Sequence, residues 1–348
     1  IFSTVVLVPP QGVLPPALLL YNEAILKLRR PTLKFGISLQ SRGPAASPDN
    51  LALVAQRAEE LGFDSAFLGD HIVIPDSFAS EYPYSATGAF TAAGSGECLE
   101  QLTVLTFVAA KTQRIRLAPS VMILPHRNPL VAAKVLATID VLSKGRLILG
   151  VGVGWLREEF EALGLPPFEE RGAVSDEYIR VFKELWTKDN PSFQGKYCSF
   201  SNIRFEPKPV QKPHPPIWIG GESPPALRRA AALGDAWHPI GSNPRYPLVT
   251  ADQLKKSVCR LAQYAEKAGR NPSEIEVAYR VPQYRLTDEG HTQPFVGSAD
   301  QIADDIRAFA AVGAKHLVFD FRSDDVKKSV ELIEQFASQI MPKVEDLS

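Results

Sequence analysis

From Leu33 onward one pattern recurs: a short apolar run, a stretch with apolar positions at helical spacing, and a glycine. The first run covers residues 33–39. Ser47-Pro48-Asp49 follows, a hydroxyl suited to a helix N-cap with proline at the first helical position. Leu51, Val54, Ala55, Ala58 and Leu61 then share one helical face, and Gly62 closes it before the next run at 65–70. A helix near 99–111 leads to a strand near 115–121. Asn128-Pro129 caps a helix carrying Val131, Val135, Ile139 and Leu142, which stops at Gly145 before the strand 147–151. Further strands are predicted at 217–219, 236–237, 275–278 and 317–319. The last is preceded by a helix with a capping box, Ser298-x-x-Gln301, and a stop at Gly313. Strands alternating with helices imply parallel pairing, and eight such units predict an α/β fold, a (β/α)8 TIM barrel. An open doubly wound sheet is the alternative arrangement of the same units.

Two stretches break the rhythm. Residues 187–216 carry Pro191, Gly195, Pro207, Pro209, Pro213, Pro215 and Pro216 with interleaved aromatics, and read as an inserted hairpin or ordered loop. Residues 72–98 form a second long connection. Loops this long are uncommon unless functional, and both are expected as inserted segments near the C-terminal face of the strands, where barrels place their sites.

Composition narrows the function. A net charge of −1 argues against a nucleic-acid footprint or a polybasic membrane anchor. No apolar run approaches the roughly 20 residues needed to span a bilayer. Cys98, Cys198 and Cys259 are scattered, without C-x-x-C spacing, and the six histidines form no H-E-x-x-H pair, so no disulfide framework or metal site is expected, and a reducing, cytoplasmic setting fits. Residues 1–32, with two Pro-Pro pairs and basic residues only after the apolar runs, fit a signal peptide poorly. They read as an extension outside the main pattern, compatible with disorder, ahead of one barrel domain over 33–348.

The strand ends supply the candidate chemistry. The second ends Gly69-Asp70-His71, where an acid beside an imidazole suits proton transfer near neutral pH, although such a pair equally serves a polar loop. The fourth ends Gly150-Val151-Gly152-Val153-Gly154-Trp155, glycines that let a ligand approach the backbone. Trp155 breaks the dinucleotide fingerprint. The fifth ends Gly220-Gly221-Glu222-Ser223-Pro224, a glycine turn running into a capped helix start, the recipe for a phosphate cradle and also for an ordinary tight turn.

Taken in order, Ala118-Pro119-Ser120-Val121, Leu124-Pro125-His126-Arg127-Asn128-Pro129, Ser143-Lys144-Gly145-Arg146, Gly150-Val151-Gly152-Val153-Gly154-Trp155, Phe168-Glu169-Glu170-Arg171-Gly172, Pro207-Lys208-Pro209 and Pro216-Ile217-Trp218-Ile219-Gly220-Gly221 closely resemble the luciferase-like monooxygenase superfamily. The likeness covers about residues 33–342. Within it the chain looks most like the branch of oxidoreductases that depend on coenzyme F420, a deazaflavin. The resemblance implies a flavin or deazaflavin across the C-terminal face, His71 near its reactive ring with Asp70 beside it, and a non-proline cis peptide at Ser120–Val121 against the ring. It also implies Gly152 and Gly154 close to the cofactor, Gly220 and Gly221 near its phosphate, Trp237 and His238 at the end of strand six, and a homodimer. Two features depart from the pattern: residues 1–32 precede the usual start, and Glu97-Cys98-Leu99 stands where an acidic-proline pair is expected.

The leading expectation is hydride transfer between coenzyme F420 and a small organic substrate, with His71 as acid/base tuned by Asp70. The alternative is an FMN-dependent monooxygenase fed reduced flavin by a partner reductase. A third is a flavin-binding protein without turnover.

Overall fold

The computed structural model describes residues 33–90 and 97–347; the extension expected over 1–32 lies outside them. Strand β1 (Lys34–Ser38) leads to α1 (Pro48–Glu60), β2 (Ser65–Leu68), α2 (Gln101–Lys111), β3 (Arg116–Pro119), β4 (Met122–Ile123), α3 (Pro129–Leu142) and β5 (Leu149–Gly152). After β5 come α4 (Arg157–Ala162), α5 (Arg171–Thr187) and a hairpin of β6 (Phe193–Gln194) and β7 (Ser199–Phe200). Then follow β8 (Ile217–Gly220), α6 (Pro224–Leu233), β9 (Ala236–His238), α7 (Ala251–Lys267), β10 (Glu276–Arg280), β11 (Arg285–Leu286), β12 (Val296–Gly297), α8 (Ala299–Ala311), β13 (Ala314–Phe319) and α9 (Val326–Gln339).

Nine parallel strands pair in the order β3-β2-β1-β13-β10-β9-β8-β5-β4. β3 and β4 are two halves of one stave, interrupted at Ser120–Val121. The ring closes where Ile148 donates to the Leu117 carbonyl at 2.9 Å, beside the Leu117–Leu147 bridge. The result is the expected barrel, and the open sheet is excluded. Helix starts follow the predicted caps: Ser47, Asn128, Ser223 and Ser298 each accept a backbone N–H of the first turn. The barrel interior holds Phe67, Ala118, Ile148, Trp218, Ala236, Ala278 and Val318. A second, larger core lies between the strands and the helices.

The two long connections part company. Residues 80–88 and Phe90 line the barrel mouth, as expected. The 187–216 segment contains the predicted hairpin, but it follows a helix, not a strand, and so returns to the strands' N-terminal ends. Its tip packs along α5, where Glu177 accepts from the amides of Lys196, Tyr197 and Cys198. Its return is pinned by Gln211 to Asp140 and to the Leu147 carbonyl.

Candidate active site

A cavity of about 1550 Å³ opens at the C-terminal ends of the strands. It exceeds the range of about 300–1,000 Å³ common for one small ligand, leaving room for a cofactor and a substrate together.

One wall is built around the break in the third stave. The Ser120–Val121 peptide is cis, as the resemblance implied. Val121 sits in a socket of glycines: an added Cβ at Gly152 would stand 2.4 Å from its Cγ2, and one at Gly220 would stand 2.8 Å from its Cγ1. These glycines leave room for the Val121 side chain, which a Cβ at either would displace. Gly154 and Gly221, at φ of 86° and 101°, take left-handed turns that favour glycine, and both line the cavity. Ser120 lies within 3.0 Å of His238 Nε2. The Ala278 carbonyl accepts from His238 Nδ1 at 2.7 Å, so Nε2 carries the lone pair and the serine donates to it. Burial pushes this imidazole down to about 4, which keeps it neutral at physiological pH.

Trp237 has a different place from the one expected. It is fully buried, outside the cavity, and its Nε1 donates to the Gly221 carbonyl at 2.8 Å. It props the glycine turn, and its neighbour His238 is the residue that faces the cavity.

The Asp70-His71 pair is also corrected. The Asp70 carboxylate is spent on Arg127, which donates from Nη1 at 2.7 Å and from Nη2 at 2.9 Å, and on the amide of Ile123 at 2.9 Å. The partner of His71 is Glu159 of α4, whose Oε2 is 2.9 Å from Nδ1. Glu159 is 1% exposed and its Oε1 accepts from the amides of Ile72 and Val73. Burial pushes its carboxyl up, but the hydrogen bond and charge of His71 and the amide of Ile72 outweigh this and hold it below the usual carboxylate range. Since a carboxylate only accepts, Nδ1 carries a proton, and in the neutral ring Nε2 is the base nitrogen. Nε2 makes no hydrogen bond among the described residues, and His71 lines the cavity between Phe90 and Trp155, with ring centroids at 5.2 and 6.2 Å.

Arg127 does more than hold Asp70. Its Nη2 also donates to Glu100 Oε1 at 2.7 Å, so one guanidinium ties the end of β2 to the N-cap of α2. Glu159 and Arg127 share no short-range motif with His71, and the sequence offered only two adjacent glutamates, Glu158-Glu159, at a helix start as a signal. Glu222, which lines the cavity beyond the glycine turn, was likewise not singled out. It is 5% exposed and accepts from the Ile240 amide and Asn243 Nδ2 at 2.8 and 2.9 Å.

No cluster of metal-ligating side chains occurs among the described residues, and no helix there is long and apolar enough to cross a membrane.

Comparison with known proteins agrees with this architecture. The family model described as luciferase-like monooxygenase matches residues 33–289. An F420-dependent glucose-6-phosphate dehydrogenase of Amycolatopsis mediterranei is 27% identical over 341 residues, covering 86% of this chain and 96% of that protein. An FMNH2-dependent dimethylsulfone monooxygenase of Pseudomonas putida is 36% identical over 165 residues, 47% of this chain and 45% of that protein. The crystal structure of the monooxygenase RslO1 from Streptomyces bottropensis superposes with a TM-score of 0.69 at 23% identity, covering 89% of this chain and 99% of that one. The chain belongs to the luciferase-like monooxygenase family and is an oxidoreductase of that family.

Proposed function

We propose that this family member moves a hydride between coenzyme F420 and a small organic substrate, with His71 as its acid/base. The observation that carries the reading is the pairing of a glycine-built wall around the Ser120–Val121 cis peptide with a histidine, His71, whose Nε2 makes no hydrogen bond among the described residues and which lines the same cavity. A planar ring system fits against the Val121 wall, where side chains at Gly152, Gly154 and Gly220 would collide with the protein's own atoms. The turn at Gly221 and the capped start of α6 would hold its phosphate end. A deazaflavin bound there supplies two-electron hydride chemistry. The chain's own part is positional and acid–base. Glu159 fixes the tautomer of His71, and Nε2 takes or gives the substrate proton. Ser120, its proton directed to His238, offers oxygen lone pairs to the cavity. Phe90, Tyr82 and Trp155 limit access of water. The likeness to an F420-dependent dehydrogenase over almost its whole length supports the deazaflavin.

A second reading, an FMN-dependent monooxygenase with a separate reductase, is supported by the P. putida relative, at higher identity over about half the chain. Titrating the protein with coenzyme F420 and with FMN, followed by tryptophan fluorescence, separates the two. Tight binding of F420 alone is expected. Tight binding of FMN alone overturns the choice and moves the search to oxygen uptake. His71→Ala is expected to abolish turnover with little change in cofactor affinity. If affinity falls instead and no turnover exists in the parent, the protein is a flavin binder.

A further inference from the structure

Across the mouth from Val121 stands a group this chemistry leaves idle. In the ring of staves β10 lies opposite the β3/β4 stave, and Arg280 is its last residue. The Arg280 side chain lines the cavity and is one-fifth exposed, at 20%. None of its five N–H groups makes a hydrogen bond among the described residues. The nearest carboxylate oxygen is Oδ2 of Asp320, 3.5 Å away. Both oxygens of Asp320 are already engaged by Arg322, Nε to Oδ1 at 2.7 Å and Nη2 to Oδ2 at 2.5 Å. One carboxylate thus stands among two guanidinium groups and is spent on the more exposed of them. Ser38, at the end of β1 on the same side, has a buried Oγ with no hydrogen-bond partner and also lines the cavity. This wall offers donors in excess of acceptors: Asp320 is shared with Arg322, and the N–H groups of Arg280 that it does not engage are left for a ligand in the cavity.

We propose that this wall is the substrate's anchoring subsite, and that it takes an oxyanion, a carboxylate or a phosphate monoester, on a molecule with an apolar or aromatic body. Arg280 is the principal donor, since its planar fork matches two oxygens of such a group. Tyr82 supplies the surface for the apolar body: its ring packs on Phe90 at 4.9 Å and on Trp155 at 5.1 Å, and Phe90 reaches His71. A substrate anchored at Arg280 runs along these rings toward His71. The proposal rests on the reading that the glycine-built wall holds the cofactor. A cofactor phosphate is the other source of an oxyanion, and the opposition of the two walls argues against it.

The test uses benzoate and phenyl phosphate as probes, with benzamide as the neutral isostere of benzoate, each titrated by tryptophan fluorescence. The parent protein is expected to bind both anions at least about ten-fold tighter than benzamide, as one charge-assisted bidentate contact requires. Arg280→Ala should erase the preference and Arg280→Lys should keep part of it, while the affinities for F420 and FMN stay within about three-fold of the parent. Equal binding of benzoate and benzamide by the parent overturns the proposal, as does a preference that survives Arg280→Ala. A ten-fold loss of cofactor affinity in Arg280→Ala also overturns it and assigns the guanidinium to the cofactor. If neither cofactor binds the parent but the anion preference is present, the cofactor reading fails and the subsite stands.

Discussion

Glu222 makes the stability of this barrel depend on pH in a direction opposite to most carboxylates. It is buried beside the cavity, and burial raises its carboxyl from 4.5 to about 7 against the opposing hydrogen bonds from Ile240 and Asn243. In the unfolded chain the group ionises near 4.5, whereas the native state keeps its proton to about 7. Between those values the native state binds the extra proton, so stability from this residue is fully present at low pH and is lost as pH rises to about 7. The gap is about two and a half pH units, each worth about 1.36 kcal/mol, so the loss is about 3 kcal/mol. Glu222→Gln keeps the shape and an acceptor oxygen but does not titrate. Relative to the parent, the variant should therefore gain about 3 kcal/mol between pH 4.5 and pH 8. Urea unfolding of both proteins at the two pH values measures this, because every other titrating group cancels in the difference. If the two proteins change in parallel to within about 1 kcal/mol, Glu222 is not held protonated by burial and the reasoning fails.

Three further outcomes follow from the same geometry. Asp70→Asn leaves the largely buried Arg127 half-paired and should cost about 3–5 kcal/mol in urea unfolding, whereas an acid/base role for Asp70 would show in turnover with stability intact. Glu159→Gln should lower kcat by about 10²-fold or more, with cofactor affinity unchanged, because the tautomer of His71 is no longer fixed; unchanged turnover would remove Glu159 from the site. Gly152→Ala drives a Cβ against Val121 and should destabilise by about 1–3 kcal/mol and weaken cofactor binding, read by denaturation and titration.

The parts of this fold legible in the sequence are those written locally. Alternating apolar runs and capped helices announced all eight staves. Ser120–Val121, Gly150–Gly154 and Gly220–Gly221 each form a short contiguous motif at a strand end, so pattern and family likeness reach them one by one, although they meet only in the closed barrel. What was not legible is created by closing the ring. Glu159 meets His71 across 88 residues of sequence. Adjacency in the chain suggested Asp70 instead, yet successive residues leaving a strand point apart, and Asp70 turns to Arg127 while His71 turns to the cavity. Trp237 and His238 illustrate the same alternation: one faces the shell between strands and helices, the other the barrel interior. The 187–216 hairpin lies away from the C-terminal face because it follows α5, which has already carried the chain back to the strands' N-terminal ends.

The clasp at Arg127 has a consequence for how such a protein changes over time. Asp70 and Glu100 stand at the two ends of the long connection after β2, and a single guanidinium holds both. The stretch between them is a cassette with fixed terminals: its ends stay in register with the barrel whatever its interior does. Lengthening it adds little closure cost, since that cost grows only with the logarithm of loop length and the clasp keeps the ends together. The residues of this cassette beyond Val73 that line the mouth can therefore be rewritten with His71 at its root, and Val121 and Glu159 on the frame, left untouched.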